Sequence, residues 1–212
     1  GEDAEGCWSG GVQVACNDPL CTTGPCTDQA AACEDRFVVA GDDIIFTTGK
    51  VNVQLQAIGA DITYGSGGPE VDVKVEFSSD ARRTWTPLFS NTDIDGGESQ
   101  WMNNLPAGSK IVLKFVAQYQ SFFHKTRYSN EQTGFIVVLR NGDRVPNLPV
   151  FANQTSIASY LRPYVSNGRI AIGEYDTIFL VELGTDSKSS SSFDLNDAVV
   201  LMRFEAAAGS CS

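Results

Sequence analysis

The chain has 212 residues, of which 42% are hydrophobic and 19% charged, a composition that supports a packed core and excludes a disordered chain. Its 15 lysines and arginines against 26 aspartates and glutamates give a net charge of −11, the wrong sign for binding nucleic acid or an anionic membrane surface through clustered cations. No stretch approaches the roughly 18 apolar residues of a membrane-spanning helix. We therefore expect a globular domain with no nucleic-acid partner and no membrane span.

The first residues of the chain, Gly-Glu-Asp-Ala-Glu-Gly, are acidic and small. Such a start is typical of a secreted chain whose targeting segment has been removed, and equally of a chain trimmed for expression. The first interpretation predicts an extracellular or cell-surface location.

Six cysteines mark the two ends of the sequence: Cys7, Cys16, Cys21, Cys26, Cys33 and Cys211. Their gaps do not form the paired C-x2-C knuckles of a zinc site, and no histidine lies among them, so we predict disulfides in an oxidising compartment. Five clustered cysteines cannot all pair among themselves. Full oxidation therefore requires either a bridge from the N-terminal segment to Cys211 or an intermolecular bond.

From residue 36 onward the sequence follows a β pattern. Residues 51–57 and 71–77 alternate apolar and polar side chains, and residues 111–119 do so less regularly, as in half-buried antiparallel strands. Further strands are predicted at residues 135–140, 170–172, 177–183 and 198–204, with Gly, Pro, Asn and Ser clusters between them. The predicted fold is all-β: an antiparallel, jelly-roll-like β-sandwich over residues 36–212, preceded by a Cys-rich N-terminal extension over residues 1–35.

Two local signals add detail to this sandwich. Asn141-Gly142, directly after the strand at 135–140, predicts a two-residue hairpin turn. One short helix is predicted over residues 154–162, where Ile157 and Leu161 share a face. In this prediction Asn153 caps the helix and Pro163 ends it.

Residues 78–85 read Ser-Ser-Asp-Ala-Arg-Arg-Thr-Trp. The segment resembles the Asp-box, S-x-D-x-G-x-T-W, a hairpin motif of sialidase propellers that also occurs singly in β-sandwiches. The matching positions are Ser78, Asp80, Thr84 and Trp85, whereas Arg82 stands where that family has glycine. The resemblance implies a hairpin in which the carboxylate accepts turn amides and the aromatic ring packs beneath, and it implies no activity.

Residues 193–200, Phe-Asp-Leu-Asn-Asp-Ala-Val-Val, are similar to the D-x-N-D-[LV]-V-[VF] signature of bacterial extracellular β-sandwich domains that are often calcium-linked. In that family an upstream acidic stretch, commonly Phe-Glu-Asp-Leu, accompanies the signature, and residues 181–183 are a shortened likeness. Ca²⁺ takes about six to eight oxygen ligands, best gathered by carboxylate-rich loops. The candidate calcium ligands are Glu182, Asp186, Asp194, Asn196 and Asp197. As an alternative, such residues before a strand are ordinary turn formers that accept local amides.

Two further features are candidate binding or modification sites. Residues 119–128 interleave aromatic and basic side chains, which can stack on sugars or bases. The preferred interpretation is that the rings alternate into the core while the cations pair with the acidic surplus. Asn153-Gln-Thr155 fits the N-glycosylation sequon, so Asn153 is a candidate glycosylation site.

Catalysis has little support in the sequence, because no nucleophile elbow precedes a helix and no glycine-rich phosphate loop follows a strand. A glycosidase pair among the 26 acidic residues would be recognised only from geometry. We therefore expect a non-enzymatic protein. The leading hypothesis is a secreted structural subunit of an extracellular fibre, sheath or surface layer, a calcium-stabilised homopolymer formed by sheet-edge completion and disulfides. The alternative is a secreted calcium-dependent carbohydrate-binding or adhesion module.

Overall fold

A computed structural model describes residues 49–90, 94, 97–131 and 133–207, together with four short strands at 7–9, 12–14, 37–39 and 45–47. For these four strands the structure describes the backbone and, of the side chains, only that of Thr47. Most of the N-terminal extension lies outside the described residues. So do the predicted disulfide cysteines Cys16, Cys21, Cys26, Cys33 and Cys211, and of Cys7 only the backbone is described.

Strands dominate the described part of the chain. They are β1 (Cys7–Ser9), β2 (Val12–Val14), β3 (Phe37–Val39), β4 (Ile45–Thr47), β5 (Val51–Gly59), β6 (Asp72–Ser78), β7 (Thr86–Ser90), β8 (Ser99–Leu105), β9 (Lys110–Tyr119), β10 (Phe123–Tyr128), β11 (Ile136–Arg140), β12 (Val165–Ser166), β13 (Arg169–Ile170), β14 (Thr177–Val181) and β15 (Ala198–Ala206). One short helix, α1 (Ile157–Leu161), continues into a 3₁₀ turn at Arg162–Tyr164. No helix among the described residues has the length and hydropathy needed to cross a bilayer.

Two antiparallel sheets form the sandwich. In the first sheet the strand order is β3-β4-β9-β6-β7, and β10 pairs with residues 114–119 of β9, beyond the part that pairs with β4. In the second sheet the order is β11-β14-β15-β5-β8. The strands β1 and β2 form a separate hairpin, as do β12 and β13. The prediction of an all-β antiparallel sandwich with one short helix is confirmed.

Alternating side chains explain how the two sheets pack. In β6, Val73, Val75 and Phe77 are buried while the residues between them turn outward, and β5 repeats this pattern. Across the interface Phe115 of β9 meets Phe179 of β14, with ring centroids 6.5 Å apart. The alternation predicted for residues 51–57 and 71–77 therefore marks the core between the sheets.

The second sheet is also covered on its outer face. Every residue of β14 is buried, and so are the first five residues of β15. The outward side chains of these strands pack under α1 and the β12–β13 hairpin. Together with the residues that cover them they form a second apolar cluster: Leu139, Ile157, Leu161, Ile170, Ile178, Leu180, Leu195, Val199 and Leu201. Burial on both faces explains why the sequence of these strands is almost continuously apolar.

The predicted capping of the helix is wrong. The structure begins α1 after Ser156, whose hydroxyl accepts the amide hydrogen of Ser159 at 3.2 Å. Asn153 lies instead in an exposed turn, and Pro163 lies inside the 3₁₀ turn. Ser156 is the better cap because it directly precedes the first apolar residue that faces the second sheet.

The predicted hairpin at Asn141-Gly142 is also wrong. The turn forms, with the Asp143 amide donating to the Arg140 carbonyl at 3.1 Å, but β11 pairs with β14 rather than with the following segment. After the turn the chain crosses to the outer layer, where the Gly142 amide donates to the Ile170 carbonyl at 2.8 Å.

The strands β5 and β15 of the second sheet start and finish, respectively, at the same end of the sandwich. β5 and β15 are antiparallel neighbours, with Val51 opposite Ala206. The Ala207 amide donates to the Lys50 carbonyl at 3.1 Å. The chain therefore enters β5 and leaves β15 at the same end of the sandwich.

Candidate functional site

Four polar side chains are buried together where β14 ends and β15 begins. Glu182 directly follows β14, and Asp194, Asn196 and Asp197 precede β15; none of the four is more than 3% exposed. A parallel bridge between Val181 and Asn196 brings the two segments together. We call these four residues the acidic cluster. They are buried because both strands are covered on both faces up to their ends.

Backbone amides satisfy part of the acidic cluster. Glu182 Oε1 accepts the Thr185 amide at 2.9 Å, and its Oε2 accepts the Asp194 amide at 3.1 Å. Asp197 Oδ2 accepts the Gly184 amide at 2.7 Å. The two carboxylates thus fix the loop that follows β14. This agrees with the alternative in which such residues serve local amides.

The acidic cluster also fastens two more distant loops. The Phe151 amide donates to Asp194 Oδ2 at 3.1 Å, and Asn196 Nδ2 donates to the Thr155 carbonyl at 2.8 Å. The Thr155 amide in turn donates to Asp61 Oδ2 at 2.6 Å, and the Asp61 amide donates to the Asn196 carbonyl at 3.1 Å. Three loops, after β5, before α1 and between β14 and β15, therefore converge here. The sequence analysis missed Asp61 and Thr155.

Two buried oxygens of the acidic cluster have no hydrogen-bond partner among the described residues: Asp194 Oδ1 and Asn196 Oδ1. None of the ion pairs in this part of the chain involves the cluster. A buried acceptor without a donor costs about 1–3 kcal/mol, so a cation or donor bound at these oxygens would stabilise the fold.

Burial raises the pKa of all three carboxyl groups. Desolvation raises the pKa of Asp194 to about 6, and the neighbouring charge of Glu182 acts in the same direction. The pKa of Asp197 is raised well above its ordinary value by burial and by the charge of Glu182, and burial raises the pKa of Glu182 itself. Burial therefore disfavours the ionised form of each of these carboxyl groups, and a bound cation would favour it.

Asp186 is not brought into the acidic cluster. Its carboxylate is exposed and pairs with Lys125 and, at 2.6 Å, with Arg127 Nη2, both on β10. Hydrogen bonds from these two cations lower the pKa of Asp186. Four of the five predicted calcium ligands therefore meet, and the fifth lies in a surface ion pair.

The three carboxylates of the acidic cluster interact with one another through their charges as well as with backbone amides. Among the described residues, no three His, Cys, Asp or Glu side chains are grouped so as to hold a metal ion. The calcium site therefore stays a prediction.

A cavity of about 170 Å³ lies beside the acidic cluster. Its lining residues are Ile62, Thr63, Gly65, Phe151, Gln154, Gly184, Ser192 and Asp197. A water molecule occupies about 30 Å³ of liquid, so the cavity has room for a partly hydrated cation or a small polar group. The wall offers it a carboxylate, an amide and two hydroxyl groups.

An aromatic cluster lies on the surface next to this cavity. Tyr64, whose two chain neighbours line the cavity, stacks on Tyr119 with centroids 5.1 Å apart. Phe122 and Phe123 pack edge-on against Tyr64 at 5.3 and 6.0 Å. Phe122 is 59% exposed and Tyr64 45%. Tyr119 and Phe123 pack against the core between the sheets, as the expected alternation of residues 119–128 implies, whereas Phe122 lies on the outward side. Tyr64 was missed because it comes from a different loop.

The hairpin between β6 and β7 has the hydrogen bonds that the Asp-box resemblance implies. Asp80 Oδ1 accepts the Thr84 and Arg83 amides at 2.9 and 3.0 Å, and its Oδ2 accepts the Thr84 hydroxyl at 2.7 Å. The bonds from Thr84 lower the pKa of Asp80 to about 2. Trp85 packs against Tyr128 with centroids 5.8 Å apart. The motif is a fold element of this sandwich.

Asn153 lies in an exposed turn just before the helix, where its side chain is accessible to a modifying enzyme. Its glycosylation remains a prediction.

Comparison with protein-family models, with curated proteins and with solved structures finds no match to this chain.

Proposed function

We propose that the chain is a secreted, non-enzymatic structural subunit of an extracellular fibre, sheath or surface layer. Copies associate through sheet edges and disulfides, and calcium stabilises the folded subunit. The observation that supports this most directly is the role of the acidic cluster, whose side-chain oxygens accept the amides of two loops, the one before α1 and the one between β14 and β15. Such an arrangement serves stability rather than turnover.

The calcium part of the proposal follows from the charge and the free oxygens of the cluster. Three carboxylates are buried close to one another with no cationic side chain among the described residues to balance them. Asp194 Oδ1 and Asn196 Oδ1 are free to act as ligands. Hard oxygen donors of this kind suit Ca²⁺ rather than a softer metal.

Thermal unfolding in calcium and in EGTA tests this part. We expect calcium to raise the melting temperature, because a ligand that binds only the folded state stabilises it by about 2.7 kcal/mol at 100 times its Kd. Asp194→Asn should abolish the response. Asp186→Asn is the matched control and should keep it, since Asp186 pairs with Lys125 and Arg127 instead. Identical melting curves of the wild type in calcium and in EGTA would overturn the calcium assignment.

Electron microscopy of the concentrated full-length protein with calcium tests the assembly part. We expect filaments or lattices. A variant lacking residues 1–35 should stay folded, because the sandwich core lies within residues 51–207, but should not form them. Monodisperse wild-type particles would overturn the structural role.

The second candidate is a secreted calcium-dependent carbohydrate-binding or adhesion module, which the exposed aromatic cluster favours. Exposed rings beside a polar cavity are suited to stacking on a sugar ring while its hydroxyls reach polar side chains. A glycan-array screen tests it. Binding that is lost in Phe122→Ala and Tyr64→Ala but kept in Val150→Ala, an exposed residue outside the cluster, would support this function over assembly.

A further inference from the structure

β8 is an unprotected edge of the sandwich. It reads Ser-Gln-Trp-Met-Asn-Asn-Leu and contains neither a charge nor a proline. Of the strands that the structure describes, β5 alone pairs with it. Natural sheets usually protect such an edge with lysine, proline or a covering segment, since its free amides and carbonyls invite another strand.

In the two sheets of the sandwich, the other edge strands whose side chains are described carry such protection. β7 contains Pro87, and β10 contains Lys125 and Arg127. β11 ends at Arg140, and Phe135 just before it lies under Arg127, 4.2 Å from the ring centroid. Among these strands β8 alone lacks a charge and a proline. Its register is irregular only near Asn104, whose φ is 59°, so residues 99–103 form a regular edge.

The register of β8 defines which of its backbone groups face outward. The Ala57 amide donates to the Glu98 carbonyl at 2.9 Å, which makes this a hydrogen-bonded pair. In an antiparallel ladder such pairs alternate, so Gln100 and Met102 also turn their backbone groups toward β5. The residues that turn theirs to the free edge are Ser99, Trp101 and Asn103.

We propose that β8 pairs with β8 of a second copy of this chain, antiparallel about a two-fold axis through Trp101. This inference rests on the proposed self-assembly and names the edge that serves it. In this register Trp101 faces Trp101 and Ser99 faces Asn103, so all three outward residues of each copy enter hydrogen-bonded pairs. The two second sheets become one continuous sheet.

The charge of the chain favours a second copy as the occupant. At a net charge of −11 two copies repel each other overall, whereas β8 brings no charge to the contact. Glu98, just before β8, meets no acid in this register, because β8 itself contains none. Trp101, 41% exposed, becomes covered by its own counterpart, and a two-fold contact requires this kind of self-complementarity.

A charge-swap experiment on the full-length, calcium-loaded protein tests the pairing. We expect Trp101→Lys and Trp101→Glu each to weaken self-association about 100-fold or more, because like charges then face each other across the axis. An equimolar mixture of the two should regain it, since lysine on one copy faces glutamate on the other. Sedimentation velocity measures the association, and circular dichroism checks that each variant is folded.

Val150→Lys and Val150→Glu are the controls, because Val150 is as exposed as Trp101 but lies outside β8. They should associate like the wild type, alone and mixed. If the Trp101 variants also associate like the wild type, the β8 contact is wrong while self-assembly stands. If they fail to associate both alone and mixed, another segment occupies β8 and the two-fold pairing is wrong. A monomeric wild type would instead refute the proposed function itself.

Discussion

At the scale of the single residue, Arg82 combines a strained backbone with an anchored side chain. Its φ of 74° lies in the left-handed region, at the position where the Asp-box has glycine. The side chain compensates: Nε donates to Asn130 Oδ1 at 2.8 Å, and the guanidinium lies 3.9 Å from the centroid of the Tyr128 ring. These contacts hold the hairpin against the chain that follows β10.

Replacing Arg82 by alanine and by glycine separates the two contributions. Both variants lose the side-chain contacts, but only glycine relieves the backbone strain of roughly 1–2 kcal/mol. We expect both to be less stable than the wild type, and Arg82→Ala to be less stable than Arg82→Gly by about 1 kcal/mol. Urea unfolding measures the difference, and equal free energies of unfolding would contradict the proposed strain.

The raised pKa values of the acidic cluster predict a pH dependence of stability. The pKa of Asp194 rises on folding from 3.8 to about 6, so between these pH values the folded state binds more protons than the unfolded state. Stability without calcium should therefore fall as the pH rises through this range, and Glu182 and Asp197 shift in the same direction. Melting temperatures in EGTA across this range measure the fall.

Two variants check the origin of this pH dependence. Asp194→Asn should make the fall in EGTA shallower, because the amide does not titrate. Asp186→Asn should not make the fall shallower. The pKa of Asp186 is lowered on folding, so its carboxylate contributes stability that is lost as the pH falls, which is the opposite direction. A melting temperature in EGTA that rises from about pH 4 to 6 would contradict the raised pKa values.

At the scale of the secondary-structure element, α1 depends on its cap and on its apolar face. The helix has five residues, too short to be stable alone, and it persists because Ile157 and Leu161 pack on the second sheet. We expect Ser156→Ala to destabilise the protein by about 1 kcal/mol, because the Ser159 amide loses its acceptor. Asn153→Ala, at the cap position expected from the sequence, should change the free energy of unfolding little. Chemical denaturation of both variants measures the difference. Equal losses of stability would contradict the assignment of Ser156 as the cap.

At the scale of the whole molecule, the core between the two sheets was predictable from the sequence. The second apolar cluster, under α1 and the β12–β13 hairpin, was not. The strand at residues 71–77 is buried on one face only, so its apolar and polar residues alternate and the alternation identifies the buried face. In β14 and β15 both faces are buried, so no periodicity marks which side meets α1. The hairpin at Asn141-Gly142 failed for a related reason, because the chain leaves the sheet there to build the outer layer.

The acidic cluster was predictable in part. The D-x-N-D pattern and Glu182 are close in sequence and flank two strands that pair, so their meeting follows from local order. Asp61 and Thr155 lie in other loops, and only the pairing of β15 with β5 and the seating of α1 bring them to Asn196. Asp186 was misplaced because sequence proximity does not fix which way a loop side chain turns, and the cations of β10 attract it outward.

The cysteines carry a prediction for the entire chain. Residues 1–35 contain few large apolar side chains, so we expect covalent links to hold this segment to the sandwich or to a neighbour. All six cysteines should be oxidised in the native protein. Intact mass after alkylation, with and without prior reduction, measures the number of free thiols. Two or more free thiols in the native protein would contradict the prediction.

The meeting of the chain at Lys50 and Ala207 determines how the subunit responds to mechanical tension. Because β5 begins where β15 ends, a pull applied to both ends of the sandwich loads the cross-strand pairs one after another, starting at Val51 and Ala206. Peeling of this kind takes less force than shearing all the pairs at once. A covalent link from the N-terminal extension to Cys211, or from Cys211 to a neighbouring copy, would determine whether that tension bypasses the sheet or unzips it.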